Sequence, residues 1–411
     1  MNEHKDEPVS KKKVGIIGGG AAGYFFAANA AKMYPDHQFV LYEQAKTGLQ
    51  KVKVSGGGRC NVTHACFDPK ELAINYPRGM RELLGPFHRF GPSDTIQWFE
   101  VRDVKLHTEA DGRMFPITNS SQTIIDCLVH ECEKYGVEMH FQQKLLNIDP
   151  INMGDDGFHL HFINGKTDKV DKLMLATGSS RMIWKLLNSL EIEIVPPVPS
   201  LFTFKIADER IRDLAGVTVD KVEISLPETS LKTDGPMLIT HKGLSGPSVL
   251  KLSAFGARLF AERNYQTEIT INFLPNLSLG ELRNTRDADG KLLLKETKWA
   301  LPKRLQAKLL ASSTVDVEKK WASLSNAELT KLHERFCKAV FMVNGQNTFK
   351  EEFVTSGGVD LAEVDFKTFK SKKYQNLYFA GEVLNIDAVT GGFNFQAAWT
   401  GAYLAAVGLE E

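Results

Sequence analysis

The sequence predicts an α/β protein in which a Rossmann-type nucleotide-binding domain is interrupted by an inserted β-rich domain that carries a small helical subdomain. Two observations at the chain ends favour this fold class: a glycine-rich turn at residues 18–23 opens a helical pattern, and a buried-strand pattern returns at residues 376–381. A third is that, after about Pro196, the sequence changes to short β-like runs separated by Gly and Pro. With 411 residues, the chain is too long for one hydrophobic core.

The N-terminal part predicts a βαβ unit. Apolar runs at residues 14–17 and 39–42 are typical of buried parallel strands, and residues 21–33 between them have a helical pattern. Because strands of the same type occur near both chain ends, we expect both ends to build one sheet. The further predicted elements are a helix over 122–135, strands at 173–176 and 376–381, and a helix over 394–407.

The middle of the chain predicts a different architecture. Short β-like runs at 222–226, 237–240 and 268–273 are separated by Gly and Pro, and a charged, helix-rich stretch follows. We therefore expect a discontinuous nucleotide domain at 13–195 and 350–411, a barrel-like domain at 196–278 and 339–349, a helical subdomain at 279–338, and a mobile tail at 1–12.

Composition bears on the class of partner. Fifty Lys and Arg residues balance fifty Asp and Glu residues, so no overall charge attracts the chain to nucleic acid, although a local basic groove stays compatible with RNA. No apolar stretch of about 18 residues predicts a membrane span, and the polar N-terminus lacks a signal-peptide pattern. We expect a cytoplasmic protein without a membrane partner; the sequence gives no oligomeric state.

The cysteines and histidines do not predict a redox pair or a metal site. Five cysteines occur without a Cys-x-x-Cys motif, which favours free thiols in a reducing compartment. His159 and His161 alternate on one predicted strand without further ligands. We expect no bound metal and no catalytic disulfide.

The glycine-rich turn matches a dinucleotide-binding fingerprint. Gly18, Gly20 and Gly23 satisfy G-x-G-x-x-G directly after a strand and at the start of a helix. The first glycine allows the tight turn, the second lets a pyrophosphate approach the backbone, and the third lets helix and strand pack closely. The helix N-terminus would offer free N–H groups to the phosphates, and Glu43 a carboxylate to the ribose hydroxyls. A purely structural glycine turn is the alternative.

Two observations favour FAD over NAD as the dinucleotide. The last part of the chain returns to the first domain, and residues 377–381 followed by Glu382 are typical of the closing strand of a flavoprotein sheet, where a carboxylate contacts the ribityl chain. No second G-x-G-x-x-G occurs in the middle of the chain. We therefore expect one tightly bound FAD, with NAD(P)H docking transiently as the reductant.

The stretch at residues 55–63, Ser-Gly-Gly-Gly-Arg-Cys-Asn-Val-Thr, has the most unusual composition. Its glycines let the backbone lie against a ligand, Arg59 offers several donors to phosphate or flavin oxygens, and Asn61 offers both a donor and an acceptor. Cys60 is interpreted as a packing residue rather than a nucleophile. A purely structural loop is the alternative.

Taken together, these motifs resemble the flavoprotein family labelled HI0933-like, aminoacetone-oxidase-like or BaiN-like. The resemblance implies a Rossmann-type FAD domain interrupted by a β-barrel with a helical subdomain, and hydride transfer through the flavin N5. It covers nearly the whole chain and is carried by residues 18–23, 55–63, 112–116, 240–247, 355–359 and 381–396.

The resemblance also implies which residues contact FAD, with backbone contacts from Leu145 to the adenine. The sequence departs from the family pattern at residues 179–184, where a glycine-rich stretch is replaced, and at Asn385, where relatives usually have Asp. The implied cofactor-binding positions are Gly18, Gly20, Ala21, Ala22, Gly23, Glu43, Arg59, Cys60, Asn61, Leu145, Ala176, Thr177, Gly178, Gly381, Glu382, Gly391, Gly392, Phe393 and Asn394.

Three residues are candidates for catalysis: Arg59, His241 and Lys242. His241 and Lys242 would face the flavin from the barrel as acid and electrostatic clamp, or lie in a solvated loop. The helix after Gly392 would direct its positive end at the pyrimidine end of the flavin, so that Gly392→Ala lowers the flavin midpoint potential if FAD still binds.

Within the family's range, the resemblance implies reduction of an activated C=C bond of a small enone-like substrate, which enters between the FAD domain and the barrel. Reduction of a uracil ring in RNA, amine oxidation, and a flavin redox sensor without turnover stay open as alternatives.

Overall fold

The computed structural model describes residues 11–288, 291–347 and 354–411. Residues 1–10 of the predicted tail lie outside the described residues. The helices are α1 (Ala21–Met33), α2 (Gln50–Gly58), α3 (Pro69–Ala73), α4 (Met80–Arg89), α5 (Pro92–Glu100), α6 (Ser121–Lys134), α7 (Arg181–Ser189), α8 (Pro247–Phe255), α9 (Ala257–Glu262), α10 (Leu279–Ala288), α11 (Lys303–Ser312), α12 (Asn326–Cys337) and α13 (Phe393–Val407).

The strands form five sheets within the described residues. The strands are β1 (Lys13–Ile17), β2 (Gln38–Tyr42), β3 (Thr63–His64), β4 (Leu106–Thr108), β5 (Arg113–Pro116), β6 (Glu138–His140), β7 (Leu145–Pro150), β8 (Phe158–Phe162), β9 (Thr167–Val170), β10 (Lys172–Leu175), β11 (Ile194–Ser200), β12 (Thr203–Lys205), β13 (Thr218–Ser225), β14 (Lys232–Thr240), β15 (Gly243–Ser245), β16 (Gln266–Asn272), β17 (Ala339–Asn344), β18 (Gln346–Asn347), β19 (Val354–Val359), β20 (Val364–Asp365), β21 (Lys370–Ser371) and β22 (Leu377–Phe379).

The chain forms two compact units, Met1–Pro197 with Thr355–Glu411, and Val198–Val354. The first unit contains a seven-stranded sheet in the order β20-β21-β22-β10-β1-β2-β6, whose last five strands run parallel. Strands from both chain ends lie side by side, with Leu173 opposite Leu377. The predicted Rossmann-type sheet is confirmed, and α1 has the predicted bounds.

Helices α1 and α13 form the core of the first unit. Both are apolar around most of their circumference, and their many Ala and Gly residues allow the backbones to approach closely. Phe25 of α1 packs on Trp399 of α13 with ring centroids 5.0 Å apart. Because each helix begins at the carboxyl edge of the sheet, the two helix N-termini lie on the side where ligands bind in open parallel sheets.

The second unit is built around a seven-stranded antiparallel sheet in the order β17-β16-β13-β14-β15-β12-β18. Its edge strands β17 and β18 adjoin along the chain at Gly345. Helices α10, α11 and α12 share one hydrophobic core with the strands, for instance through Leu305, Phe336 and Phe341. A closed barrel in this unit stays a prediction.

Among the described helices, none has the length and the apolarity that crossing a membrane requires.

The C-terminus is held by an ion cluster on Glu410. Its carboxylate accepts hydrogen bonds from Lys12 (2.8 Å) and His37 (2.9 Å) and pairs with Lys172 (3.0 Å). Partial burial acts to raise the pKa of Glu410, but the hydrogen bonds from Lys12, His37 and Lys172 prevail and lower it to about 2. The cluster therefore ties the last residues of the chain to strand β10 and to the residues directly before β1 and β2.

Glu410→Gln should lower stability at neutral pH by about 1–2 kcal/mol, a modest amount because the carboxylate is one-third exposed. The folded pKa lies below the ordinary value, so this stability is present above pH ~4.5 and is lost as pH falls towards 2. Urea unfolding at pH 7 and pH 3 should show the difference between wild type and variant shrinking at the lower pH. Glu411→Gln is the control and should be neutral throughout; a pH-independent difference for Glu410→Gln would contradict the assignment.

Candidate functional site

Two glycines of the β1–α1 turn leave no room for a side chain. Gly18 has φ +107°, and a Cβ on it would lie 2.4 Å from the carbonyl oxygen of Ala176. A Cβ on Gly23 would lie 2.0 Å from the carbonyl oxygen of Gly18. The packing of the protein itself therefore requires these two glycines, because they allow α1 to begin against the ends of β1 and β10.

Gly20 differs from its two neighbours in the motif. A Cβ on it would meet nothing within 4 Å, and its φ of −95° with ψ of −169° is accessible to any residue. It precedes α1 without a side-chain cap, so the first-turn N–H groups of Ala21 and Ala22 have no intrahelical partner. Neither the protein's packing nor its backbone conformation requires glycine here, whereas close approach of a phosphate group does.

The carboxyl ends of β10 and β22 meet at the same edge. The Thr177 hydroxyl is buried and has no hydrogen-bond partner among the described residues. A Cβ on Gly178 would lie 3.8 Å from the Glu382 carboxylate, which Lys51 binds at 2.6 Å. An orphaned buried hydroxyl and a positioned carboxylate fit the polar groups of a dinucleotide.

Glu43 is fixed by backbone donors. Its carboxylate accepts hydrogen bonds from the N–H groups of Gly19 and Ala45, each at 2.7 Å. Each carboxylate oxygen keeps a further acceptor site, so ribose hydroxyls can still be bound. The N–H of Gln143 donates to the Glu43 carbonyl at 2.8 Å, which brings the start of β7, with the buried Leu145, beside Glu43.

The glycines in the last part of α2 break its helix. Helical geometry is lost at Ser55, and Gly56, Gly57 and Gly58 all have positive φ. A Cβ on Gly57 would meet nothing within 4 Å, so this part of the backbone is open. Cys60 is fully buried with φ +60°, and burial raises the pKa of its thiol to about 12, so it is no thiolate at neutral pH.

Arg59 is engaged within the protein. Its guanidinium binds the Glu109 carboxylate at 2.7 Å and stacks over Phe115, with Cζ 4.0 Å from the ring centroid. Asn61 accepts a hydrogen bond from the Met114 N–H at 3.2 Å. Contacts of Arg59 and Asn61 with the flavin stay predictions.

The loop before α13 lies against the stretch at 55–63. Gly391 and Gly392 both have positive φ, and a Cβ on Gly392 would lie 2.5 Å from the Thr63 carbonyl oxygen. Asn394 holds the loop by accepting from the N–H of Ala388 (3.0 Å) and donating to its carbonyl (3.3 Å). Gly392→Ala therefore cannot isolate the helix dipole as the sequence suggested, because the added methyl group would push β3 and α13 apart.

A buried polar network, which the sequence did not indicate, joins three of these elements. The Gln396 carbonyl accepts hydrogen bonds from the hydroxyls of Thr63 (2.6 Å) and Thr95 (3.0 Å), and its amide donates to Thr400 (3.1 Å). Gln396 has no exposed surface. Thr63 lies in β3, Thr95 in α5 and Gln396 in α13. The network therefore fixes where α13 begins relative to β3.

His64 is a second group that sequence reasoning missed. Its ring stacks on Phe393, with centroids 4.6 Å apart, beside Gly391. The Asp111 carbonyl accepts from Nε2 at 3.1 Å, which places the ring proton on Nε2 and leaves Nδ1 buried without a partner among the described residues. Burial is the main cause that lowers the pKa of His64, so the ring is neutral at pH 7.

The two remaining catalytic candidates belong to the second unit. His241 and Lys242 are exposed and line a cavity of about 640 Å³ together with Lys205, Asp208 and Asn344. Gly243 shapes their turn, since a Cβ on it would lie 2.1 Å from the Phe204 carbonyl oxygen. Their role towards the flavin stays a prediction.

All five cysteines are free thiols. Within residues 11–288, 291–347 and 354–411, no group of three or more His, Cys, Asp or Glu side chains is arranged to hold a metal ion.

One edge of the sheet therefore carries a nucleotide cradle: the turn at Gly18–Gly23, Glu43, Thr177–Gly178 and Gly381–Glu382. A Cβ on Gly381 would lie 3.2 Å from that of Ala22, so the end of β22 closes directly over the start of α1. An open helix N-terminus, a fixed carboxylate and an orphaned hydroxyl suit a dinucleotide with two phosphates and a ribose.

Comparison with known proteins gives the family of this chain. The family model described as HI0933-like protein Rossmann domain matches residues 12–408. A ribosomal RNA dihydrouridine synthase of Escherichia coli is 30% identical over 412 residues, 95% of this chain and 96% of its own. A 3-dehydro-bile acid delta(4,6)-reductase of Clostridium scindens is 28% identical over 409 residues, 96% and 98% of the two chains. The 3-ketosteroid-delta4-(5alpha)-dehydrogenase of Rhodococcus jostii RHA1 has a similar fold, with TM-score 0.51, 11% identity and 98% coverage of both chains.

Together with the cradle, these similarities make the protein a FAD-dependent oxidoreductase with a Rossmann-type FAD domain. The chain belongs to the HI0933-like family, and the resemblance predicted from its motifs is confirmed.

Gly20→Ala should separate cofactor binding from folding. The methyl group fits the protein, so the apoprotein's free energy of unfolding should change by less than about 1 kcal/mol. A methyl group at the phosphate-facing backbone should nevertheless weaken FAD binding at least about tenfold, close to 1.4 kcal/mol. Fluorescence titration of apoprotein with FAD measures the affinity, and urea unfolding measures stability.

Gly23→Ala is the matched control, because its Cβ would collide with the Gly18 carbonyl whether or not FAD is bound. It should destabilise the apoprotein strongly. If Gly20→Ala bound FAD as tightly as wild type, Gly20 would not lie against the pyrophosphate.

Proposed function

We propose that this enzyme reduces a C=C bond conjugated with a carbonyl group in a small cyclic enone, with NAD(P)H as the transient reductant. The names of two relatives support this chemistry from different substrates. A delta(4,6)-reductase of a 3-dehydro compound acts on double bonds in conjugation with a ketone. Dihydrouridine differs from uridine by saturation of the C5=C6 bond, which is conjugated with the C4 carbonyl. The shared feature is hydride addition to an electron-poor ring alkene.

FAD, when bound, supplies the hydride through its N5 atom. The protein's own contribution is to hold and orient the cofactor. The N-terminus of α1 and Gly20 receive the phosphates, Glu43 the adenosine ribose, and Glu382 the ribityl chain. We assign the N-terminus of α13 to the pyrimidine end, where a positive helix end stabilises the negative charge that reduction introduces.

A uracil ring in RNA is the second candidate substrate. The chain as a whole is neutral, but residues 279–338 carry thirteen Lys and Arg against eight Asp and Glu. Most of these basic side chains are exposed, including Lys303, Lys320 and Lys331. A locally basic segment in a neutral protein favours a polyanionic partner.

Anaerobic stopped-flow reduction tests both candidates. NADH or NADPH should reduce the bound flavin, and a substrate should reoxidise it within seconds. A cyclic enone such as a 3-keto-4-ene steroid is the first oxidant; ribosomal RNA transcribed in vitro is the second, with the same RNA already reduced at its uridines as control. Mass spectrometry should detect two added hydrogens in the product.

The outcomes separate the functions. Reoxidation by the enone alone supports the first proposal, and reoxidation by RNA alone supports the second. Flavin reduction by an amine in the absence of NAD(P)H would replace both with amine oxidation. A flavin that none of these compounds turns over would mark a redox sensor.

A further inference from the structure

We propose that residues 75–79 form a positioning clasp for the cofactor, and that the ion pair between Arg78 and Asp387 is its centre. The clasp acts on residues 385–392, which are called here the α13 loop. This loop ends with Gly391 and Gly392, directly before α13. No motif in the sequence points to residues 75–79. The inference rests on the proposed assignment of the α13 N-terminus to the flavin.

The ion pair is bidentate and buried. The Nε and Nη2 atoms of Arg78 donate to the two carboxylate oxygens of Asp387. The Asp387 side chain has no exposed surface, and that of Arg78 is only 14% exposed. The backbones of the two residues also form an antiparallel β-bridge. Arg78 and Asp387, which are 309 residues apart in the sequence, are therefore joined by both their side chains and their main chains.

Three further contacts join the same segments. The N–H of Val389 donates to the carbonyl of Asn75 at 3.0 Å. The buried Tyr76 hydroxyl donates to the carbonyl of Phe393, the first residue of α13, at 2.6 Å. A Cβ on Gly79 would lie 2.9 Å from Ile386 Cγ1, so the backbone there packs directly on the loop. The clasp thus touches the α13 loop at Ile386, Asp387 and Val389, and α13 itself at its first residue.

The α13 loop needs this support because it forms neither helix nor strand. Asn394 of α13 braces it from the other side by binding both backbone groups of Ala388. A fully buried carboxylate is tolerated only when a cation and hydrogen bonds compensate its charge. Arg78 supplies both in a rigid planar fork, which a lysine cannot reproduce. The pair therefore fixes the orientation of the backbone that leads into the glycines, rather than merely adding stability.

Arg78→Lys and Asp387→Asn test the clasp, with Arg102→Lys and Glu131→Gln as matched controls. Arg102 and Glu131 form another buried ion pair in the same unit, with side chains 10% and 4% exposed, but they join α6 to the residues after α5. Three quantities are measured for each variant: the melting temperature of the apoprotein, the FAD dissociation constant, and the midpoint potential and visible circular dichroism of the bound flavin.

Both sets of variants should lower the apoprotein's melting temperature. Only Arg78→Lys and Asp387→Asn should in addition weaken FAD binding, at least about tenfold, and alter the flavin's circular dichroism and potential. Tyr76→Phe removes one hydroxyl and keeps the ring, so it should weaken FAD binding in the same way but by a smaller factor. This variant replaces Asp387→Asn in the test if Asp387→Asn does not fold.

Equal losses of FAD affinity in the control pair, or unchanged affinity and spectrum in Arg78→Lys and Tyr76→Phe, would overturn the clasp and leave a structural ion pair. These results do not depend on the substrate, so a failure of the proposed alkene reduction would leave them intact.

Discussion

The site depends on how closely backbones can approach at the carboxyl edge of the parallel sheet. The start of α1 lies against the end of β10 because Gly18 and Gly23 have no side chains; methyl groups there would come within 2.0–2.4 Å of carbonyl oxygens. Gly381 allows the end of β22 to close over Ala22 in the same way. Helix termini, a carboxylate and an open backbone position converge at one edge only because these contacts are possible.

Buried polar bonds then position the loops that surround this edge. Gln396 joins β3, α5 and α13 through hydroxyl groups, and Arg78 with Asp387 joins residues 75–79 to the α13 loop. Gln396, its threonine partners and Asp387 are inaccessible to water, so loss of a partner would leave them unsatisfied in a medium of low polarity. Such networks confine loops to a single arrangement, which a flavoprotein needs if its cofactor is to have one orientation and one potential.

The second unit has its own hydrophobic core, shared between the antiparallel sheet and α10–α12. Its glycine turn at residues 243–246 is explained by packing, because Cβ atoms on Gly243 and Gly246 would meet backbone atoms at 2.1 Å and 2.8 Å. The same holds for Gly357 and Gly358 in the first unit, whose Cβ atoms would lie 2.6 Å from Pro197 and Val383. Several of the motifs that carried the family resemblance therefore serve the fold rather than the chemistry.

The sequence by itself determined the local elements and the nucleotide fingerprint. The bounds of α1, the parallel strands β1, β2 and β10, and the return of the C-terminus to the sheet follow from hydrophobic periodicity and glycine spacing, which act over a few residues. The tertiary structure decided which glycine leaves its backbone open and which glycine serves packing, since Gly20 and Gly23 look alike in the motif. It also decided the partners of Asp387, Gln396 and His64. Those partners lie up to 333 residues away in the sequence, and no short-range pattern encodes a contact that exists only once the sheet has brought both chain ends together.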